Sequence, residues 1–302
     1  MKENKELQRN FILGDNWLYY KIYTGYKTSD KILVDVIHPI ANRLIDEKII
    51  NKWFFIRYGD PKHHLRVRFH FTERENIFKI INSFLPYLKS YIDKKLIWKI
   101  QTDTYKREIE RYGVNSMCLS EDIFYYDSES IVGFLKVIKG REDEDVRWLF
   151  SLRLIDSLLN DFEYNLERKN KLLFELSTSF KNEFNSSKYL TKQLSKKYRD
   201  KQDKIEKFMS DRISEVYSLG LLEIIEEKEK VIKPIICDLQ EIKKKGELEI
   251  NLDQLMSSYI HMLMNRLFKS RNRLHEMVCY DFLYRFYKSK LARVKIKHKK
   301  TS

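Results

Sequence analysis

The sequence predicts an α+β fold, with a small ferredoxin-like sheet, antiparallel or mixed, in the N-terminal third and a mostly helical C-terminal part packed with it. Two observations carry that reading. Runs rich in β-formers and alternating with period two are confined to positions before residue 110. Beyond residue 115, apolar residues recur three and four apart, the spacing of helices with one buried face. Length adds a bound: 302 residues are enough for one large core or two modest ones.

The elements follow in order. Trp17 to Thr24 (WLYYKIYT) reads as a strand stopped by Gly25. Thr28, Ser29 and Asp30 offer N-caps to a helix whose apolar positions are Ile32, Leu33, Val36, Ile37, Ile40, Leu44 and Ile45. Pro39 kinks or restarts that helix, because it has no amide donor and disfavours the α conformation at His38. WFFIRY at 53–58 and HLRVRFHF at 64–71 form a hairpin around Gly59, Asp60 and Pro61. Asn76 to Leu88 returns to helical spacing, and a strand follows near 95–103. This β-α-β-β-α-β order is the ferredoxin-like signature. Helices are expected at 144–164, 170–184, 200–218, 232–244 and 252–268, with a polar, Lys-rich stretch at 181–207 that is either a wet-faced helix or a connection. No internal repeat or Pro/Gly linker divides the chain, so one compact unit is expected.

Composition excludes several classes. No uninterrupted apolar run reaches the ~18 residues of a spanning helix, and MKENKELQRN lacks the apolar core of a signal peptide. Three scattered cysteines, Cys118, Cys237 and Cys279, suit neither a disulfide framework nor a four-ligand zinc site, which points to a reducing cytoplasm. The eight glycines form neither a phosphate loop nor a dinucleotide fingerprint. His275-Glu276 is followed by Cys279 where a zincin needs histidine, so that motif fails as well. Neither metal nor cofactor is expected. Half of the +14 net charge lies in KSKLARVKIKHKKTS at the C-terminus, a basic tail that is either solvated or able to touch an acidic partner.

Three clusters can carry chemistry. Alternation along 64–71 points Leu65, Val67, Phe69 and Phe71 one way and His64, Arg66, Arg68 and His70 the other. Two arginines and two histidines on one face make an anion platform, or simply the wet side of a strand. In TYKREIERYG, helical spacing pairs Glu108 with Arg111 and Arg107 with Glu110, an arrangement equally ordinary on a surface. In SYIHMLMNRLF, an apolar stripe of Leu255, Met256, Tyr259, Ile260, Leu263 and Leu267 leaves His261 at its edge with Asn265 one turn on. That histidine is either a satisfied edge-of-core residue or a functional one.

Taken in order, WLYYKIYTG, NKWFFIRYGDPKHHLRVRFHF, YKREIERYG, EDIFYYDSES, SYIHMLMNRLF and DFLYRFY resemble the C-terminal glutamate-elimination domain of class I lantibiotic dehydratases, also described as the thiopeptide-type bacteriocin biosynthesis family. The resemblance runs from Trp17 to Tyr287, leaving 1–16 as an extension and 288–302 as the basic tail. It implies a reaction in which a glutamylation protein esterifies Ser or Thr of a precursor peptide from glutamyl-tRNA. The elimination domain then expels glutamate to leave dehydroalanine or dehydrobutyrine. A carboxylate leaves far more readily than hydroxide, so the remaining demand is a positioned base and a cation beside the developing enolate.

Carried over residue by residue, the resemblance implies catalytic roles for Arg111, His261 and Glu108. It implies substrate binding by Arg66 and Arg68, with His70 and Arg57 beside them. Two departures stand out: about sixteen residues precede Trp17 where full dehydratases carry a long glutamylation region, and Lys269 stands where many relatives have glycine. The first implies a split system with a separate glutamylation protein, and a cyclase as a further possible partner. Membrane insertion and direct nucleic-acid binding are not expected. Two alternatives remain open: a homologous pyridine synthase joining two dehydroalanines, and a non-catalytic subunit that holds peptide or tRNA.

Overall fold

The computed structural model describes residues 7–140, 144–210 and 220–301. In chain order the strands and helices are β1 (Asn10–Phe11), β2 (Trp17–Thr24), α1 (Tyr26–Ile32), α2 (His38–Asp46), β3 (Lys52–Tyr58), β4 (His64–His70), α3 (Asn76–Asp93), β5 (Ile97–Thr102), β6 (Tyr105–Lys106), α4 (Ile109–Tyr112) and α5 (Met117–Val137). There follow α6 (Glu144–Asp161), α7 (Leu166–Glu183), α8 (Lys188–Met209), α9 (Leu221–Lys244), α10 (Leu252–Leu267) and α11 (Asn272–Thr301). The class is α+β, as the two periodicities predict.

The chain divides into two compact units where the sequence suggests one. The first comprises residues 1–139 and 234–270, the second 140–233 and 271–302. No Gly/Pro-rich linker marks the division: the chain crosses it between Lys139 and Gly140, within α9 at Pro234 and immediately after Ser270. A boundary inside a helix leaves no compositional trace.

In the first unit, β3-β4-β2-β5 form a four-stranded sheet whose neighbours are all antiparallel. This is the ferredoxin-like order, reached by two β-α-β crossings and one hairpin. The hairpin register pairs Lys52 with His70 and Tyr58 with His64. Between α1 and α2 the chain makes a π-helical turn at Leu33–Ile37, and Pro39 lies in the first turn of α2. The missing amide of proline is thereby absorbed without ending the helical run. One face of the sheet, with Leu65, Val67, Phe69, Trp53 and Phe55, is fully buried. Phe84 of α3 packs on Phe69 at a ring separation of 4.8 Å.

The opposite face is also covered. Strand β6 pairs with β1, Phe11 lying opposite Tyr105, so Asn10 and Phe11 belong to the folded unit. Tyr105 and Phe124 of α5 then lie against Phe54 of β3, at 5.9 and 5.4 Å. Asn265 of α10 closes the free edge of β3 as another strand would: its Oδ1 accepts from the Arg57 amide at 2.9 Å and its Nδ2 donates to the Arg57 carbonyl at 2.9 Å. A sheet edge sealed by a side-chain amide leaves no unpaired backbone there.

The second unit is helical. Asn165 and Ser187 cap α7 and α8 by accepting from Arg168 and Leu190 amides. The polar stretch at 181–207 is a wet-faced helix over most of its length, α8 burying Leu194, Tyr198, Ile205, Phe208 and Met209. Part of the helix expected at 200–218 lies outside the described residues. The basic C-terminal segment continues α11 through Thr301. Among the described residues no helix is long and apolar enough to cross a membrane.

Candidate functional site

The site is built on the covered polar face of the sheet, within the first unit. Cross-strand register places Tyr19, Arg68 and Phe54 in one row and Lys21, Arg66 and Ile56 in the next. Arg68 is only 8% exposed, where a wet strand face would leave it in solvent. Its guanidinium carbon lies 4.3 Å from the Tyr19 ring centre, 4.8 Å from Tyr105 and 5.2 Å from Phe54. Ring faces stabilise the cation without using its donors. Its buried Nε has no hydrogen-bond acceptor. Arg66 is less buried, stacks 3.5 Å over Tyr58 and donates from Nε to His64 Nε2 at 3.1 Å.

Tyr105, one wall of this aromatic cage, is fixed from behind. Its hydroxyl donates to Glu121 Oε1 at 2.8 Å, and the same carboxylate takes two 2.7 Å bonds from Arg107. Helical spacing pairs Arg107 with Glu110, but α4 begins only at Ile109, so the i,i+3 rule does not reach Arg107. Glu110 instead pairs with Arg9. Glu108 and Arg111 do meet, at 3.1 Å, both well exposed. Gly113, at φ +77°, then turns the chain from α4 into α5. A Cβ there would press on Ser116 Oγ at 3.1 Å and Glu249 Oε2 at 3.3 Å.

These elements enclose a cavity of about 40 Å³, lined among others by Arg68, Glu108, Tyr105, Tyr112, Met262 and Arg266. That is several times the ~10–15 Å³ needed for one water, and suits a carboxylate head rather than a peptide. Arg266 was not singled out by sequence reasoning, although its spacing from Tyr259 and Leu263 puts it on the buried side of α10. It is completely buried, and none of its three guanidinium nitrogens has a hydrogen-bond acceptor. Asp127 is 3.6 Å away, and the Phe124 ring 4.9 Å. Arg66, Arg111 and His261 do not line the cavity. His261 is half-buried on α10, beside Met262, which does.

Two expected substrate ligands stand elsewhere or lack charge. Arg57 has the opposite parity on β3 and shares the other sheet face with Leu65. Its guanidinium is spent on Arg266 O at 2.8 Å, Ser29 Oγ at 2.7 Å and Asp30 Oδ1 at 2.6 Å, and it is 3% exposed. Lys269 adds a second cation to the same aspartate at 3.3 Å. Arg57 thus ties β3 to α1 and α10. On the arginine face, the histidines are not cations. His64 bonds the Lys62 carbonyl through Nδ1 and accepts from Arg66 through Nε2, the pattern of a neutral ring. Burial first, then Lys52 and Arg107, push His70 down to about 4, and its ring lies 4.9 Å from Trp17. Of these four side chains, the arginines alone carry charge.

The His70 shift has a consequence for stability. Its folded pKa lies below the ordinary value of 6.5, so between about pH 4 and 6.5 the unfolded chain binds the extra proton and stability rises with pH. The contribution is complete above that window and is lost as pH falls through it, amounting to about 3 kcal/mol at most. His70→Phe, which keeps the ring stacking, should flatten the slope of unfolding free energy measured from pH 4.5 to 7; an unchanged slope would assign it to other groups.

Among the described residues, no group of three or more His, Cys, Asp or Glu side chains is placed to hold a metal. The arrangement that is present, the Arg266 guanidinium and the Arg68 Nε buried without hydrogen-bond acceptors beside a carboxylate and tyrosines, is suited to receiving a small acid. The comparisons agree on a family. The chain is 24% identical over 276 residues to the subtilin biosynthesis protein SpaB of Bacillus subtilis, covering 89% of this chain and 26% of SpaB. Against the nisin biosynthesis protein NisB of Lactococcus lactis subsp. lactis it is 30% identical over 131 residues, 43% of this chain and 13% of NisB. The chain thus spans about a quarter or less of those relatives.

Among solved structures, the tRNA-dependent lantibiotic dehydratase MibB from Microbispora sp. 107891 superposes with a TM-score of 0.71 at 18% identity, over 94% of this chain and 29% of that one. The pyridine synthase TbtD from thiomuracin biosynthesis gives 0.64 at 13% identity, over 91% and 99%. At these identities the superpositions establish the fold. The family described as lantibiotic biosynthesis dehydratase C-term matches residues 17–287, and the chain belongs to that family.

Proposed function

We propose that this chain expels glutamate from glutamylated Ser and Thr residues of a ribosomally made precursor peptide, leaving dehydroalanine or dehydrobutyrine. The observation that carries the reading is the small cavity lined by Arg68 and Arg266, where the buried Nε of Arg68 and all three guanidinium nitrogens of Arg266 have no hydrogen-bond acceptor. A buried guanidinium without hydrogen-bond acceptors is costly even with Asp127 at 3.6 Å, and this reaction supplies an acceptor anion in substrate and product alike.

The step is a β-elimination. A base removes the Cα proton, the freed electron pair becomes the Cα=Cβ bond, and the Cβ–O bond breaks to release glutamate as a carboxylate. Arg66 and Arg68 receive the glutamyl group, Arg68 facing the leaving carboxylate. Arg111 meets the enolate oxygen, oriented by Glu108 at 3.1 Å. His261 moves protons. The ion pair at the rim is worth little while exposed and gains strength when a bound peptide excludes water. Glutamylation drawing on glutamyl-tRNA supplies the ester in the cytoplasm, and a cyclase is a candidate consumer of the product.

The test is mass spectrometry of a leader-bearing peptide with one glutamyl-Ser ester, incubated with this chain alone. Loss of one glutamic acid without ATP or tRNA is expected; an intact ester in the presence of folded protein would overturn the reading. A second reading is a pyridine synthase, since TbtD shares the fold. It predicts instead conversion of a peptide bearing two dehydroalanines.

A further inference from the structure

Arg266 has no place in the roles above, yet it is the most deeply buried cation of the site. It stands in the last turn of α10, a helix started by Asn251, whose side chain accepts from the Asp253 amide at 2.8 Å. Neighbouring Asn265 ties that turn to β3, which fixes the backbone that carries Arg266. Its surroundings are the cavity walls: Tyr112, Arg68 and Tyr105 all influence its charge, with Asp127 as the favourable counter-charge. A purely structural arginine at this depth would be expected to spend its five donors on oxygen acceptors, as Arg57 does on three. Arg266 spends none, and Asp127 stays at 3.6 Å.

Resting on the elimination reading, we infer that Arg266 selects the acyl group by receiving the free side-chain carboxylate of the glutamyl ester. The chemistry requires such a receptor. Glutamate carried on tRNA is esterified through its α-carboxyl, so transfer to Ser or Thr consumes that carboxyl and leaves the side-chain carboxylate free. It is the one permanent negative charge of the acyl group, and it distinguishes glutamyl from glutaminyl. The leaving carboxylate develops its charge only as the Cβ–O bond breaks.

Two anions with different timing call for two cations. Arg68, 8% exposed and nearer solvent, serves the developing charge; Arg266, 0% exposed, serves the permanent one. The cavity of about 40 Å³ that both help to line is of carboxylate size. Contacts made equally in ground and transition states appear in KM, and those made only in the transition state appear in kcat. Arg266 therefore governs KM and acyl selectivity, and Arg68 governs kcat.

The experiment compares two peptides, one with a glutamyl-Ser and one with a glutaminyl-Ser ester, on the wild-type chain, Arg266→Met and Arg266→Lys. The wild type is expected to prefer the glutamyl ester by at least about 100-fold in kcat/KM, the margin of a site built around a buried polar partner. Arg266→Met should erase that preference by raising KM for the glutamyl ester alone, and Arg266→Lys should restore part of it. A preference as large in folded Arg266→Met as in the wild type overturns the assignment. Asp127→Asn provides the second variant: loss of the competing carboxylate should lower KM for the glutamyl ester, and an unchanged or higher KM would count against the role. Should the wild type release neither acyl group, the elimination reading itself fails, an outcome distinct from elimination with unaltered selectivity.

Discussion

Arg68→Met should slow glutamate release about 10²–10³-fold, the usual consequence of removing one donor aimed at developing negative charge. The loss should fall on kcat. Methionine fills much of the arginine volume among Tyr19, Phe54 and Tyr105, so the aromatic cage keeps its packing. Removing a buried cation whose Nε has no acceptor also removes a desolvation cost. The melting temperature should therefore stay close to that of the wild type, separating chemistry from folding. Arg68→Lys should recover little, since an ammonium offers a point charge and a larger hydration penalty where the cage fits a flat guanidinium. Single-turnover release of glutamate, read by mass spectrometry, decides the matter. A wild-type rate constant in Arg68→Met would remove Arg68 from the mechanism.

Much of this arrangement is legible in the sequence, and the illegible parts share a cause. Period-two alternation places Arg66 and Arg68 on one sheet face correctly, and the parity of Arg57 against Phe54 and Ile56 already puts it on the other. Alternation says which residues share a face; it says nothing of what covers that face. The cover comes from Tyr105, Phe124 and Arg266, far away in the chain, and it turns a wet strand side into a buried site. For the same reason His64 and His70 join the arginines as an anion platform in the sequence, whereas in the fold burial lowers the pKa of both. Arg266 did leave a signal: a charged residue at a core position of an otherwise apolar helical stripe. Read as a flaw in the pattern it is invisible, whereas read as a buried charge it calls for a ligand. The pairing of Arg107 with Glu110 fails because the local rule presumes a helix, and helix α4 is only four residues long, starting at Ile109.

Glu121→Ala should be the most destabilising change near the site, costing about 3–5 kcal/mol. Glu121 is 1% exposed and accepts both from Arg107, at 2.7 Å twice, and from the Tyr105 hydroxyl at 2.8 Å. Alanine leaves a buried guanidinium and a buried hydroxyl without their acceptor. Arg107→Met strands the carboxylate and should cost a similar amount. The double variant Glu121→Leu/Arg107→Met removes both charges together, and much of the stability should return because an apolar pair avoids the desolvation cost. Activity should not return with it. The Tyr105 ring would still lie against Arg68, but its hydroxyl would have lost the partner that fixes the ring plane, so that wall of the cage would no longer be held in place. Thermal unfolding and glutamate release measured on all four proteins separate the two effects. A double variant that is as stable as the wild type and eliminates at the wild-type rate would show that the buried pair serves folding alone; restored stability with persistent loss of kcat would make it the support on which Arg68 is aimed.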